Sequence, residues 1–369
     1  MRATSANRAD FVLRMLADDL TGALDSAAQF ASGDRFIRVA LEAPDHALKG
    51  SIVIDCATRE ASEQEALRRF GLAAKWLDSA DGRLSFFKID SLLRGHPIAE
   101  LATCLKREPE RRCIIAPALP QQNRITRQGM QYAKFFDQWT QLTVNIANSL
   151  GELGFSCQLQ RPGDEVPAGI SLWDAESEAD LAAIVAAGLN CGAPVLWCGC
   201  AGLASALAMA LKSALATRPD LLSVGTDIPL PLIGLFGSDH PVMRDQLVQD
   251  AAYCVKSEAF KPCETAWVYF ELPAQTSRQE AAAKIDQMIS DLVGRIERPG
   301  TMVVSGGETL RALARILQAT AIDVLGQIQP GIPFARLVGG PWDGVNLIAK
   351  SGAFGPPDFL VRLRQKATS

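Results

Sequence analysis

Histidine is nearly absent from this chain of 369 residues, which has only His46, His96 and His240. A histidine-centred hydrolase triad or a multi-histidine metal site has little to be built from. Long apolar runs are also missing: no window reaches the roughly 18 uninterrupted apolar residues of a membrane helix. Nor is there an excess of positive charge, because 37 Lys and Arg stand against 41 Asp and Glu, a formal net charge of -4. Without a broad positive field, a protein that works by binding nucleic acid or an anionic membrane is not expected. Short basic runs such as 107–112 read as solvated surface. Two phosphate-binding signatures are absent as well. Neither G-x-x-x-x-G-K-[ST] nor, after the first apolar run, G-x-G-x-x-G occurs, which weighs against a P-loop NTPase and an ordinary dinucleotide-dependent dehydrogenase.

Nine cysteines are scattered singly, and the first residues form no basic, apolar, small-residue leader, so a cytoplasmic protein without disulfides is expected. The densest group, Cys191, Cys198 and Cys200, runs into the apolar stretch 195–204 and has no evident fourth ligand. It reads as buried thiols rather than a metal site.

What is present is a chain with 48% hydrophobic residues, enough for about two domains with separate cores. Short apolar runs recur at 11–16, 37–41, 51–54, 84–87, 113–116, 170–173 and 194–197, with helix-length segments between most of them. In the helix after Gly95, Ile98, Leu101, Ala102 and Leu105 share one face. Strands alternating with amphipathic helices imply a parallel sheet covered on both sides. The Pro-rich stretch 217–231 breaks the rhythm, which places a first domain at 1–225 and a second at 226–369. The second half repeats the pattern with runs at 232–236, 301–304 and 345–349. The expected architecture is α/β, two domains, each a largely parallel sheet flanked by helices, with a cleft between them.

Chemistry-bearing residues gather just after the strands. Asp18 and Asp19 follow the first run, Asp55, Thr58 and Arg59 the third, and Lys88, Asp90, Ser91 and Arg94 the fourth. On parallel neighbours these three groups share the C-terminal rim, where such sheets bind ligands. Carboxylates beside Lys and Arg suit a small polyhydroxylated acid, because Arg grips a carboxylate bidentately and Asp accepts from hydroxyls. Helix capping is the competing use: Asp19 or Thr21 at the helix start, and Ser91 in its turn. The polar stretch 117–129 reads as a long loop, in which Arg124 and Arg127 either meet an anion or sit exposed on a turn. In the second half, Ser305-Gly306-Gly307-Glu308-Thr309 offers backbone N–H groups at a helix N-terminus, a setting suited to phosphates.

The segments Ala17-Asp18-Asp19-Leu20-Thr21-Gly22-Ala23, Lys88-Ile89-Asp90-Ser91-Leu92-Leu93-Arg94-Gly95 and Ala116-Pro117-Ala118-Leu119-Pro120 resemble the N-terminal domain of the four-carbon acid sugar kinases. Gly199-Cys200-Ala201-Gly202-Leu203-Ala204, Gly237-Ser238, the 305–309 segment and Lys350-Ser351-Gly352-Ala353-Phe354-Gly355 resemble that family's later motifs, in order. The resemblance implies an ATP-dependent kinase acting on the terminal hydroxyl of a tetronate, with the acid sugar on the first domain and ATP on the second. It puts substrate on Asp18, Asp19, Arg59, Lys88, Asp90, Ser91 and Arg94, and ATP on Ser238, Gly306, Gly307, Glu308, Thr309 and Gly352. In that scheme Asp19 or Asp90 handles the attacking hydroxyl, Arg59 or Arg94 binds the carboxylate, and Lys88 offsets developing charge. Mg²⁺ would bridge the phosphates through ligands the sequence does not name. Asp239-His240 and His96 depart from the family pattern, the second bearing on substrate choice; the first, with a chain somewhat short for the family, keeps a non-catalytic sugar-acid or nucleotide-binding regulator as the alternative. A homo-oligomer is compatible with this reading; nucleic acid and membrane partners are not.

Overall fold

The computed structural model of the chain describes residues 11–32, 35–45, 50–80, 82–214, 228–237, 240–261, 264–270 and 278–368. They fall into two compact units, one drawn from 1–30 and 42–218, the other from 31–41 and 219–369. Most of the Pro-rich stretch from which the domain boundary is read, residues 215–227, lies outside the described residues.

The first unit opens with β1 (Val12–Ala17) and α1 (Leu20–Phe30); β2 (Ile37–Ala40) belongs with the second unit. There follow β3 (Ile52–Asp55), α2 (Glu63–Ala73), β4 (Arg83–Lys88), α3 (Pro97–Arg107) and β5 (Arg112–Ala116). Next come β6 (Arg124–Arg127), β7 (Met130–Phe135), β8 (Gln138–Gln141), α4 (Ile146–Glu152), β9 (Cys157–Gln160), β10 (Ile170–Trp173), α5 (Glu178–Asn190), β11 (Val195–Gly199) and α6 (Ala201–Ala214). The main sheet runs β3-β1-β4-β11-β5-β10-β9, with all of these pairings parallel. β3, β10 and β11 are buried throughout, and β1 from Leu13 onward. Unbroken apolar sequence is what a sheet covered on both faces requires. Local signals start the helices: Ser62 caps α2, Ser177 and Asp180 form a capping box on α5, and Pro97 opens α3.

The stretch 117–129 is not the open loop its polarity suggests. β6, β7 and β8 form a small antiparallel sheet, and Gly129, at φ +73°, turns β6 into β7. Its cross-strand pairing satisfies backbone groups that a long loop would leave to water.

In the second unit, β2 is followed by β12 (Ile228–Pro229), β13 (Leu232–Phe236), α7 (Pro241–Gln249), β14 (Cys254–Lys256), β15 (Thr265–Tyr269) and α8 (Arg278–Val293). Then come β16 (Thr301–Ser305), α9 (Gly307–Ile316), β17 (Ala321–Gln329), β18 (Ile332–Val338), β19 (Asn346–Lys350), α10 (Phe359–Lys366) and β20 (Ala367–Thr368), the last paired with β12. The sheet order is β14-β15-β13-β16-β19-β18-β17-β2. It is parallel as far as β19 and antiparallel beyond, where the β17–β18 hairpin turns at Gly331. The sequence reading lacked this antiparallel side, and it counted 37–41 with the first half. β2 instead pairs with β17, and Arg38 grips Asp323 with two hydrogen bonds of 2.7 and 2.8 Å. An apolar cluster including Phe236, Met243, Trp267, Val303, Ile348 and Phe359 packs α7 and α10 against one face of the sheet.

Candidate active site

In the first unit, the register pairs Ala17 with both Asp55 and Lys88, so β1, β3 and β4 end level with one another. The segments that follow these strands meet on one rim. Arg59 is the hub. Its Nε and one terminal nitrogen reach the two oxygens of Asp18 at 2.7 and 2.8 Å, and the same terminal nitrogen lies 2.6 Å from Asp19 Oδ1 and 3.6 Å from Asp90 Oδ1. The turn that delivers Arg59 is anchored by the backbone N–H groups of Thr58 and Arg59, which donate to the Asp18 carbonyl. Burial works to lower the Arg59 pKa, but Asp18, Asp19 and Asp90 outweigh it and hold the guanidinium charged.

Asp90 is also held by Arg94, at 2.9 and 2.8 Å, and accepts the backbone N–H groups of Leu92 and Arg94. Burial opposes its ionisation, yet these bonds and the charges of Arg59, Arg94 and Lys88 hold its carboxyl well below the usual carboxylate range. In that turn Asp90, not Ser91, satisfies the backbone donors. Ser91 is half-buried, and its carbonyl accepts from Gln131 Nε2 at 3.0 Å. Gln131 also holds the Pro117 carbonyl at 3.1 Å and accepts from Thr126, so the small sheet clamps the Asp90 turn to the end of β5.

Asp19 does cap α1: its Oδ1 accepts the Gly22 N–H at 3.0 Å, and the Thr21 hydroxyl donates to its other oxygen. Its side chain remains 17% exposed, more than Asp18 at 4% or Asp90 at 8%, while that of Arg94 is 57% exposed. Lys88 is buried and donates to the Ile89 carbonyl at 3.0 Å. Glycine at position 22 leaves room for both charged ends, because a Cβ there would lie 2.5 Å from Asp19 Oδ1 and 2.8 Å from Lys88 Nζ and would push these side chains aside. The two charged ends therefore flank the space that a side chain would fill. Asp25, one turn further along α1, sits near Lys88, and burial pushes its carboxyl up to about 6.

Other sequence candidates take local roles. Asp55 accepts the Ala57 N–H, and His96 pairs through Nε2 with the Ala61 carbonyl at 2.8 Å. Arg127 is paired with Glu176 on the surface, whereas Arg124 is half-buried, bonded to Gln122 and within electrostatic reach of Asp90 and Arg94. Cys198 and Cys200 are buried, Cys191 is half-buried, and the Cys200 thiol donates to the Pro117 and Ala118 carbonyls. Sequence reasoning passed over Gln131 and Asp25. Asp25 lies i+3 from Gly22 on the helix face toward Lys88, whereas nothing local marks Gln131.

In the second unit, β13, β16 and β19 end level, with Phe236, Ser305 and Lys350 in one row. Ser238 lies outside the described residues. Gly306, at φ +104°, precedes α9, whose start has no side-chain cap; Gly307 is its first residue and Glu308 is exposed in the first turn. Thr309 is buried, and its hydroxyl sits where Gly237 leaves room: a Cβ at Gly237 would approach it to 2.3 Å. Gly352 is buried in the turn after β19. Glycine backbone and an uncapped helix start are materials for holding an anion.

A family model described as a sugar-binding N-terminal domain matches residues 13–149, and one described as a nucleotide-binding C-terminal domain matches 263–360. The chain is 27% identical to a D-threonate kinase of Cupriavidus necator, over 96% of this chain and 97% of that one. It is 24% identical to a 3-oxo-tetronate kinase of Brucella melitensis, over 97% and 96%. Among solved structures, a Salmonella typhimurium protein described as a putative tRNA synthase matches with a TM-score of 0.76 at 20% identity, covering 96% of this chain and 99% of that one. A Haemophilus influenzae protein of a domain-of-unknown-function family matches with a TM-score of 0.69 at 18% identity, covering 95% and 99%. At those identities the structures speak for the fold alone. Two matched domains in the right order and kinase relatives aligned over nearly their whole length join the motifs at the strand ends: the chain belongs to the four-carbon acid sugar kinase family.

Proposed function

We propose that this protein is an ATP-dependent kinase that phosphorylates the terminal, 4-hydroxyl of a four-carbon acid sugar such as threonate, erythronate or a 3-oxo-tetronate. The observation that carries this reading is the Asp18, Asp19, Arg59, Lys88, Asp90 and Arg94 constellation at the ends of β1, β3 and β4. Phosphoryl transfer asks for positioning, for cancellation of charge on the transferred group, and for a carboxylate beside the attacking hydroxyl.

Arg59 and Arg94 each hold a carboxylate of the chain, but the Arg94 side chain is 57% exposed against 11% for Arg59, so Arg94 is the group that reaches the substrate carboxylate. Asp90 is too acidic to be a good proton acceptor, which favours the more exposed Asp19 at the hydroxyl. Lys88, on the other side of Gly22 from Asp19, offsets charge as it develops. Asp18 and Arg59 hold this arrangement, and Ser91 lies at its edge. On the second unit, Gly306, Gly307, Glu308, Thr309 and Gly352, together with Ser238, form the proposed nucleotide contact, and ATP supplies the γ-phosphoryl group. Mg²⁺ belongs on the nucleotide phosphates in this reading; among the described residues no group of three or more His, Cys, Asp or Glu is placed to hold an ion.

The test is ADP release, measured by a coupled assay over both enantiomers of threonate and erythronate and over 3-oxo-tetronates. The expected result is turnover that needs both ATP and one of these acids. ATP-independent consumption of the acid would overturn the kinase reading. Tight binding of a tetronate without ADP release would favour a non-catalytic binding protein.

A further inference from the structure

The second unit buries a lysine that the reading above does not use. Lys350, the last residue of β19, is 1% exposed. It stands in register with Ser305, which is in register with Phe236, and directly paired residues of parallel strands project to the same face. Phe236 belongs to the apolar cluster under α7, and so do Val303 and Ile348, two residues back from Ser305 and Lys350. Two polar groups are thus inserted into an apolar face at its C-terminal edge. The Ser305 hydroxyl is fully buried and has no hydrogen-bond partner among the described residues. The Lys350 ammonium meets the Met243 sulfur at 3.4 Å, and among the described residues no carboxylate pairs with it. The contrast with Lys88, which faces several carboxylates, is sharp.

A buried cation without an anion is costly, and burial pushes the Lys350 ammonium down to about 8. Its neighbours are those of an anion site. The Gly306 N–H donates to the Lys350 carbonyl, so the uncapped start of α9 is tied to the same strand end. Gln246 Nε2 of α7 gathers the carbonyls of Phe354, Gly355 and Pro356, fixing the far side of the turn that Lys350 leads into.

We propose that Lys350 and Ser305 form the inner wall of a phosphate subsite, in which the ammonium leaves Met243 on its flexible stem and pairs with a phosphate oxygen of the nucleotide. The amine is protonated in full only when the phosphate arrives, so binding takes up protons from solution near and above pH 8. This deepens the kinase reading and rests on it.

Three measurements test the proposal on the apoprotein. Calorimetric titration with ADP at pH 8.5, in buffers of different ionisation enthalpy, is expected to show proton uptake by the native chain. Lys350→Met, which keeps the length and removes the charge, should weaken ADP binding about tenfold or more, as expected for loss of a charge-assisted contact, and abolish the proton uptake. Its melting temperature should equal or exceed that of the native chain, since an unpaired buried cation is gone. Ser305→Ala provides a second variant, with an affinity loss of about threefold. Native ADP affinity in both variants, or native binding without proton uptake, would overturn the subsite while leaving the kinase reading intact. A native chain that binds no adenine nucleotide would overturn both.

Discussion

At the strand ends of the first unit, three carboxylates and three cations interlock. At those of the second, the described chain offers glycine backbone, the hydroxyls of Ser305 and Thr309, an exposed Glu308 and one buried ammonium. The same α/β edge is finished in two different materials, and on the proposed function the difference follows from what each would read. A small acid sugar is distinguished by where its hydroxyls and carboxylate point, so directional side chains held by one another are needed. Phosphates present the same charge in every direction, and backbone N–H groups recognise them without a specific side chain.

The largest expected effect separates the two sites outright. Asp19→Asn keeps the oxygen that caps α1 but removes the proposed proton acceptor, and turnover should fall about 10³-fold with ADP affinity unchanged. Native turnover in this variant would remove Asp19 from the chemistry. Next is Arg59→Leu, which strands Asp18 and part of Asp19 and Asp90 as buried charges; chemical denaturation should show a loss of about 3 kcal/mol or more. Lys350→Met, the corresponding removal in the second unit, should lose none, and equal losses in the two variants would erase the distinction drawn here.

A smaller effect is expected at Arg94. Arg94→Ala should raise the KM for the acid sugar about tenfold while leaving the KM for ATP and the melting temperature nearly unchanged, because the side chain is half-exposed. Equal rises in both KM values would show that Arg94 does not read the sugar.

The smallest effect concerns Glu100, which is fully buried behind this network. Among the described residues neither its oxygens nor the facing Thr58 hydroxyl has a partner of good geometry, and burial pushes its carboxyl up to about 8. A folded-state pKa above the ordinary 4.5 means that stability is fully present below pH 4.5 and is lost as pH rises towards 8. Glu100→Gln should remove that slope and melt higher than the native chain at pH 7.5, by about 1 kcal/mol of stability. Parallel pH curves for the two proteins would show that Glu100 is already ionised.

Much of this was legible from the sequence. The apolar runs at 170–173 and 232–236 coincide with β10 and β13, because strands buried on both faces must be apolar from end to end. The convergence of Asp18, Arg59 and Asp90 followed from their shared position after strands. What that position did not reveal was the division of labour among them. Arg59 looked as available for a substrate carboxylate as Arg94, yet it is buried against Asp18 while Arg94, paired with Asp90, stays half-exposed. The polar stretch 117–129 carries no strong alternation, and its pairing as β6 and β7 arises from Gly129 and from cross-strand contacts that no local pattern encodes.

The sequence by itself determined the alternation of strand and helix, the clustering of charge in the first half and of glycine in the second, and the ordered motifs of a sugar-acid kinase. These depend on local hydrophobic pattern and turn chemistry, which neighbouring residues carry. Only the tertiary structure decided that β2 joins β17, that Arg59 closes on Asp18, and that Lys350 lies beside Ser305 with no carboxylate among the described residues to pair with it. Those outcomes turn on strand order, register and burial, which bring together residues far apart in the chain and fix which charges find partners.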